Sequence, residues 1–189
     1  MSYLDEMFGL SGKTAAITGG GGALGRAIAE ALVKAGANVA LWDHTAQTHE
    51  AAVSWLAEAT GSPQRIGGAV AEASSEASVE EAARAAEKEF GGLDILINAA
   101  GGNRGRSSFI ETDLAQFELV LRLNLIAGLM APTKVVCGRW IRAGAKGAVI
   151  NIASMGSYVP LSAGSGRPRS WPGRCSTWPA RKPPASSPE

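Results

Sequence analysis

The stretch "TGGGGALG", Thr18–Gly25, sets four consecutive glycines between a short apolar run, "KTAAIT", and an amphipathic one, "ALGRAIAEALVKAGA". A strand that passes through glycines into a helix offers unpaired backbone N–H groups at the positive end of a helix dipole, where an anion is held. Glycines let the main chain turn sharply and approach a pyrophosphate with no Cβ in the way. Alone, such a stretch suits a plain turn equally well. Two features point instead to a dinucleotide. One is the strand-to-helix position of the loop. The other is Asp43, which closes the second apolar run, "NVALWD", at the distance expected of a carboxylate that accepts from a ribose 2′-hydroxyl. A carboxylate there repels a 2′-phosphate, so NAD is favoured over NADP. The alternative reading of Asp43 is a solvated residue at a strand end.

The elements that must position this loop alternate along the chain. "KTAAIT" reads as a buried strand. Leu24, Ile28, Ala31 and Leu32 then share one helical face, and Gly36 supplies the stop. "NVALWD" is a second strand, and residues 46–59, with Ala51, Ala52, Trp55 and Leu56, form a second helix. "RIGGAV" (65–70) is a third strand weakened by its glycines. In "SVEEAARAAEKEF" (78–90), Ser78 and Glu81 make the capping-box pattern of a helix start. "LDILINAAG" is a fourth strand running into a glycine turn. A long helix begins near Asp113, with Pro132 kinking it or marking a local irregularity. "GAVINIAS" is the fifth strand. Strands alternating with helices imply an α/β fold: a doubly wound parallel sheet with its ligand crevice at the carboxyl ends of the strands.

The spacing of these motifs carries a family resemblance. "TGGGGALG" is similar to the Thr-Gly-x-x-x-Gly-x-Gly loop of the short-chain dehydrogenase/reductase family, with Ala23 in place of the middle glycine. "NAAG" (98–101) resembles its Asn-Asn-Ala-Gly element, with Ala99 for the second asparagine. Asn124 in "LRLNLIAG" matches its helix asparagine, and "INIAS" its fifth strand ending in a serine, Ser154. The matches occur in order over roughly residues 10–162. "TGGGGALG" and "NAAGGN" are similar, too, to the branch acting on sugar acids such as mannonate or fructuronate.

The resemblance implies a Rossmann-like sheet and NAD lying across the strand ends, with an alcohol or carbonyl as the small-molecule substrate. Gly19, Gly21, Gly22 and Leu24 would supply backbone contacts to the adenosine and pyrophosphate, and Asn98, Ala99, Ala100 and Gly101 would line the cofactor. The family often has Asp-Val near the end of the third strand. "GAVAE" offers Ala69 and Val70 there, so only the backbone contact of Val70 carries over. Hydride transfer at a carbonyl needs the developing oxyanion stabilised and a proton supplied. Ser154 would do the first. Asn124 would distort its helix and hold a water in the proton relay. Their plain alternatives are a strand-end hydroxyl and a polar residue on a helix.

The family's acid is a Tyr-x-x-x-Lys pair on the helix after the fifth strand, whose lysine lowers the tyrosine pKa by its charge. The usual distance from the serine places the pair near Arg167 and Trp171. Tyr158 has Ser162 at the lysine offset, and Lys182 has Trp178 four residues before it. From residue 163 the chain fills with Pro, Arg, Ser and Trp, and Pro168, Pro172, Pro179, Pro183, Pro184 and Pro188 break every helical window. The expectation is therefore a dinucleotide-binding domain over 1–162, truncated after the fifth strand, and an irregular tail over 163–189. A native disordered extension, a basic segment for nucleic acid and a shifted reading frame all suit this composition, and the shifted frame is favoured. Reading "SWPGRCSTWP" from the third base of each codon allows an apolar, helix-like string. Catalysis is expected to be impaired, with the fifth strand an uncovered edge prone to aggregation. The competing functions are a nucleotide-binding fragment without catalysis and an interaction module using the basic tail.

Bulk properties agree with one domain of ordinary size. Hydrophobic residues make up 46% and charged residues 19%, which excludes a disordered chain, and a net charge of +1 argues against nucleic acid as a partner. Cys137 and Cys175 form no disulfide framework, and "MSYLDEMFGL" lacks the basic-then-apolar order of a signal peptide, so a cytoplasmic setting is expected. No apolar run of membrane-spanning length is expected. His44 and His49 lack a metal-ligand pattern and read as surface residues; no metal site is expected. Family members form homo-oligomers through helices that include the missing one, which puts assembly of this chain in doubt.

Overall fold

Thr14–Thr18 (β1) is buried along its whole length, because strands pair with it on both sides and helices cover both of its faces. The computed structural model describes residues 7–105 and 109–154. The expectations for Tyr158, Ser162, Arg167, Trp171, Trp178, Lys182 and the 163–189 tail lie outside the described residues. Helix α1 (Ala23–Lys34) follows β1, then β2 (Asn38–Asp43), α2 (Ala46–Thr60), β3 (Ile66–Val70), α3 (Glu76–Phe90) and β4 (Ile95–Asn98). A single helical run comes next: α4 (Leu114–Leu121), a π-helical stretch (Arg122–Met130) and α5 (Ala131–Ala143). β5 (Ala148–Asn151) completes the sheet, which is parallel throughout, in the order β3-β2-β1-β4-β5.

Alternate residues of the strands feed two cores, as the period of two requires. Ala16, Ala40, Trp42 and Leu96 meet Val79, Ala82, Ala83 and Ala86 of α3 and Val135, Val136 and Trp140 of α5. Ile17, Val39, Leu41 and Ile97 meet Ala29 and Val33 of α1 and Ala52 and Leu56 of α2. The weak third strand is held by full register with β2, from Val39↔Ile66 to Asp43↔Val70.

Three local expectations change. The cap of α3 is Ser75, whose side chain accepts from the Ser78 N–H, so the Ser78–Glu81 capping box does not form. Ser78 Oγ instead accepts from the Glu72 N–H at 3.0 Å, which ties the chain leaving β3 to the helix. The irregularity expected at Pro132 lies just ahead of it, in the π-helical stretch; proline has no N–H to continue an α-helical ladder. The run Leu114–Ala143 is, by length and composition, long and apolar enough to cross a membrane, because its charges are few and spread out. Its α5 portion nonetheless buries Val136 and Trp140 in the sheet core. Leu114, Phe117, Leu121 and Leu125 are exposed, as is Ile150 on β5, an edge strand among the described residues.

Met1–Ala153 form one compact unit. A second begins at Ser154, the single described residue of that unit, which is exposed.

Candidate functional site

The strand order reverses about β1, whose neighbours β2 and β4 carry their crossover helices to opposite faces of the sheet. The carboxyl ends of these three strands therefore border a crevice at a topological switch point. A cavity of about 340 Å³ lies there, lined by Gly19, Gly22, Asp43, Glu72, Ala100 and Gly101 among others. That size suits part of a small-molecule ligand.

The glycine loop forms one wall. Gly19 adopts φ +66°, the left-handed region that favours glycine, and its N–H donates to Trp42 O at 2.8 Å. A Cβ on Gly19 would stand 2.9 Å from Ala100 Cα, so the loop and the β4 exit touch backbone to backbone. Gly20 N–H also reaches Trp42 O, Gly21 N–H donates to Asp43 Oδ2, and Gly22 N–H donates to Gly19 O at 3.0 Å. The first helical bond runs from Arg26 N–H to Gly22 O. The N–H groups of Ala23 and Leu24 thus belong to the first turn, where a helix has no internal acceptor for them. These amides, with the helix dipole behind them, are where the loop can hold an anion. Gly25 is buried under Gly20, and this seats α1 against the loop.

Asp43 stands at the end of β2 and is 6% exposed. It is not the solvated strand-end residue of the alternative reading. Its Oδ1 accepts from Thr48 Oγ1 at 3.2 Å, and His44 Nδ1 lies 3.5 Å away. A carboxylate offers about four acceptor positions, so its bonds from Gly21 N–H and Thr48 Oγ1 leave room for ribose hydroxyls.

The chain leaving β3 forms the opposite wall. Val70 is exposed and does not line the cavity; Ala71, Glu72 and Ala73 do. The Ala71 N–H donates to Asp43 O at 2.7 Å, which turns the chain inward one residue after the strand ends. Ser74 donates to Glu72 Oε1 from both its hydroxyl (2.7 Å) and its N–H (2.9 Å). These bonds hold the Glu72 carboxyl below the usual glutamate range against the opposing effect of burial, with a lesser contribution from the charges of His44 and Arg122. Glu72 was not singled out from the sequence. The signal available was its place six residues before Ser78, whose hydroxyl holds it.

The β4 exit forms the floor. Thr18 Oγ1 accepts from the N–H groups of Ala99 and Ala100, both at 3.2 Å. Asn98, one of the expected lining residues, is instead a buried pin: its Nδ2 donates to Thr133 Oγ1 at 2.9 Å and Asn151 Oδ1 at 2.7 Å, tying β4 to α5 and β5. Asn124 lies in the π-helical stretch. Its Nδ2 donates to Val120 O (2.9 Å) and Gly102 O (2.8 Å), while its Oδ1 accepts from the Gly102 N–H (2.9 Å). The same stretch approaches the β4 exit at Gly128, where a Cβ would stand 2.6 Å from Ala100 O. Of the expected site residues, Gly19, Gly22, Asp43, Ala99, Ala100 and Gly101 line the cavity. Gly21 adjoins it through its bond to Asp43, Asn98 and Asn124 brace the β4 exit, and Leu24, in the first turn of α1, is exposed and does not line the cavity. Ser154 lies three residues beyond the end of β5 in the chain. Among the described residues, no cluster of metal-ligand side chains occurs.

A family model described as short chain dehydrogenase matches residues 13–166. The chain is 37% identical over 158 residues to D-threitol dehydrogenase of Mycolicibacterium smegmatis, a match covering 84% of this chain and 58% of that protein. It is 32% identical to an uncharacterized oxidoreductase, UxuB, of Bacillus subtilis, over 81% of this chain and 58% of that one. Among solved structures, NAD+-bound xylitol dehydrogenase matches with a TM-score of 0.72 at 27% identity, covering 84% of this chain and 57% of that one. Levodione reductase matches with a TM-score of 0.74 at 30% identity, over 83% and 60%. The chain spans about 58% of the length of the curated relatives it matches.

Proposed function

Because this chain belongs to the short-chain dehydrogenase family, we propose that its cavity takes a nicotinamide dinucleotide, NAD in preference to NADP. The activity we assign to the whole protein is hydride transfer between that cofactor and an alcohol or carbonyl substrate. The observation that carries the reading is the position of Asp43, a buried carboxylate lining the crevice beside the glycine loop at the switch point. The first-turn amides of Ala23 and Leu24 would take the pyrophosphate, and Asp43 the adenine ribose, where its charge disfavours a 2′-phosphate. Glu72, Ala99, Ala100 and Gly101 would border the remainder. When bound, the nicotinamide ring donates or accepts the hydride.

The chain's own side chains would handle the polar half of the reaction. Ser154 would donate its hydroxyl to the substrate oxygen as charge develops there. Asn124 would keep the β4 exit in place through Gly102. The substrate class we favour is a small polyhydroxylated alcohol or the corresponding carbonyl compound, a sugar acid included. Two of the proteins compared above are dehydrogenases of threitol and xylitol.

A second reading rests on one observation. The two tyrosines, Tyr3 and Tyr158, are followed four residues later by Met7 and Ser162, so the sequence has no Tyr-x-x-x-Lys. Without that acid the chain would hold the nucleotide and turn over slowly or not at all. Titration with NADH and NADPH, followed by oxidation assays on threitol, xylitol and a hexonic acid, separates the readings. Saturable NADH binding tighter than NADPH, with turnover at background, is the expected result. Absence of binding would refute the cofactor assignment, and robust turnover would refute the impairment.

A further inference from the structure

Gly21 is held from both sides by side chains. Its N–H donates to Asp43, and its carbonyl accepts from Arg26 Nε at 2.9 Å. Both side chains are braced by α2. Thr48 Oγ1 donates to Asp43, and the Arg26 guanidinium lies over the Trp55 ring, 5.7 Å from its centroid. Thr48 and Trp55 are seven residues apart, about two helical turns, and so share one face of α2. Glycine is required for this arrangement, since a Cβ at position 21 would stand 2.5 Å from Asp43 Oδ2 and 3.0 Å from Thr48 O. This glycine admits a carboxylate of its own chain.

The two peptide planes held in this way come immediately before the first turn of α1. A run of four glycines has the largest backbone entropy to lose on ordering. Fixing it before a ligand arrives removes that cost from the binding step. Arg26 suits the task because a planar guanidinium can donate in its plane while its face rests on an aromatic ring, which an ammonium cannot do.

We propose that Arg26, seated on Trp55, is a positioning residue that presets the Gly21 backbone and thereby the direction of the Ala23 and Leu24 amides toward a pyrophosphate. This rests on the cofactor reading above for its ligand, although the clamp itself exists in the free chain.

The test compares Arg26→Ala, Arg26→Lys, Trp55→Ala and Trp55→Phe with the unaltered protein. One arm measures dissociation constants for NADH, ADP and adenosine. The other measures amide hydrogen exchange at Gly21 and Gly22 without ligand. Loss of one hydrogen bond to a charged donor predicts NADH and ADP binding weakened roughly ten- to a hundredfold in Arg26→Ala. Adenosine, which lacks the pyrophosphate, should bind as before. Trp55→Ala should follow in the same direction, Trp55→Phe should restore most of the affinity, and Arg26→Lys should not. Faster exchange at Gly21 and Gly22 should accompany the weakened binding. Equal losses for ADP and adenosine, or unchanged exchange in Arg26→Ala, would overturn the proposal. If the unaltered protein binds no nucleotide, the cofactor reading falls, and the exchange arm still decides whether the clamp exists.

Discussion

Replacing Gly25 by alanine tests whether the contact between α1 and the glycine loop sets the site. A Cβ at this position would stand 2.8 Å from Gly20 Cα and 3.0 Å from Gly20 C, and closer still to Gly19 O. All three are backbone atoms, so no flexible side chain can swing aside. Carbon atoms in ordinary contact are about 3.5–4.0 Å apart, so the loop and helix must separate by about 0.7 Å or more. Overpacking of this kind costs about 1–3 kcal/mol, while alanine in place of glycine within a helix returns about 1 kcal/mol. The expected net loss of stability is therefore small, about 0–2 kcal/mol. The effect on binding is larger. A hydrogen bond of about 2.9 Å stretched by the same shift passes the useful limit, and losing one such bond to a phosphate corresponds to about a tenfold weaker affinity. NADH titration by fluorescence and urea denaturation measure the two quantities. Gly92→Ala is the control, since nothing lies within 4 Å of a Cβ there. If Gly25→Ala binds NADH as tightly as the unaltered protein, the Gly25–loop contact does not set the amide geometry and the reasoning fails.

Trp140→Phe leaves Leu93 O, now at 2.6 Å from Trp140 Nε1, without a donor in the core; a loss of about 1–3 kcal/mol is expected in urea denaturation. Asn124→Ala removes three hydrogen bonds at an exposed position. Water can replace them there, so stability should fall by no more than about 1 kcal/mol, while exchange at the Gly102 amide rises clearly. Glu72 is held below its ordinary value by Ser74, and Asp94 is held below its own. For Asp94, burial pushes the carboxyl up, and the Lys13 ammonium and the Thr14 N–H outweigh it. A carboxyl lowered in the folded state stabilises it fully above the unfolded pKa, and the contribution fades as pH falls through the folded value. Stability should thus decline as pH drops below about 4, and Ser74→Ala should flatten part of that decline in urea midpoints measured against pH.

Much of the site's frame was legible in the residues. Alternating apolar runs and amphipathic stretches imply the parallel sheet, and the observed strands match the expected runs to within three residues at either end. The glycines between "KTAAIT" and α1, and the aspartate closing β2, identified the crevice, because a strand-to-helix turn exposes backbone amides wherever it occurs. Other features were not legible. Ser75 and Ser78 are both plausible caps, and the choice depends on Ser78 being engaged by the Glu72 N–H. Val70 looked like a lining residue, but the bond from Ala71 N–H to Asp43 O turns the chain so that Ala71–Ala73 face the cavity.

The local pattern, then, settled which segments are strands and helices, where the glycine turn lies and which acid closes β2, since these follow from the order of residues along the backbone. Tertiary structure alone decided that Asn98 is a pin to Thr133 and Asn151, that Gly21 makes room for Asp43, and that Arg26 and Trp55 brace the loop. Those contacts join residues 22 to 53 positions apart or lie across separate elements. The packing of helices on a twisted sheet sets such distances, and no short-range period in the chain encodes it.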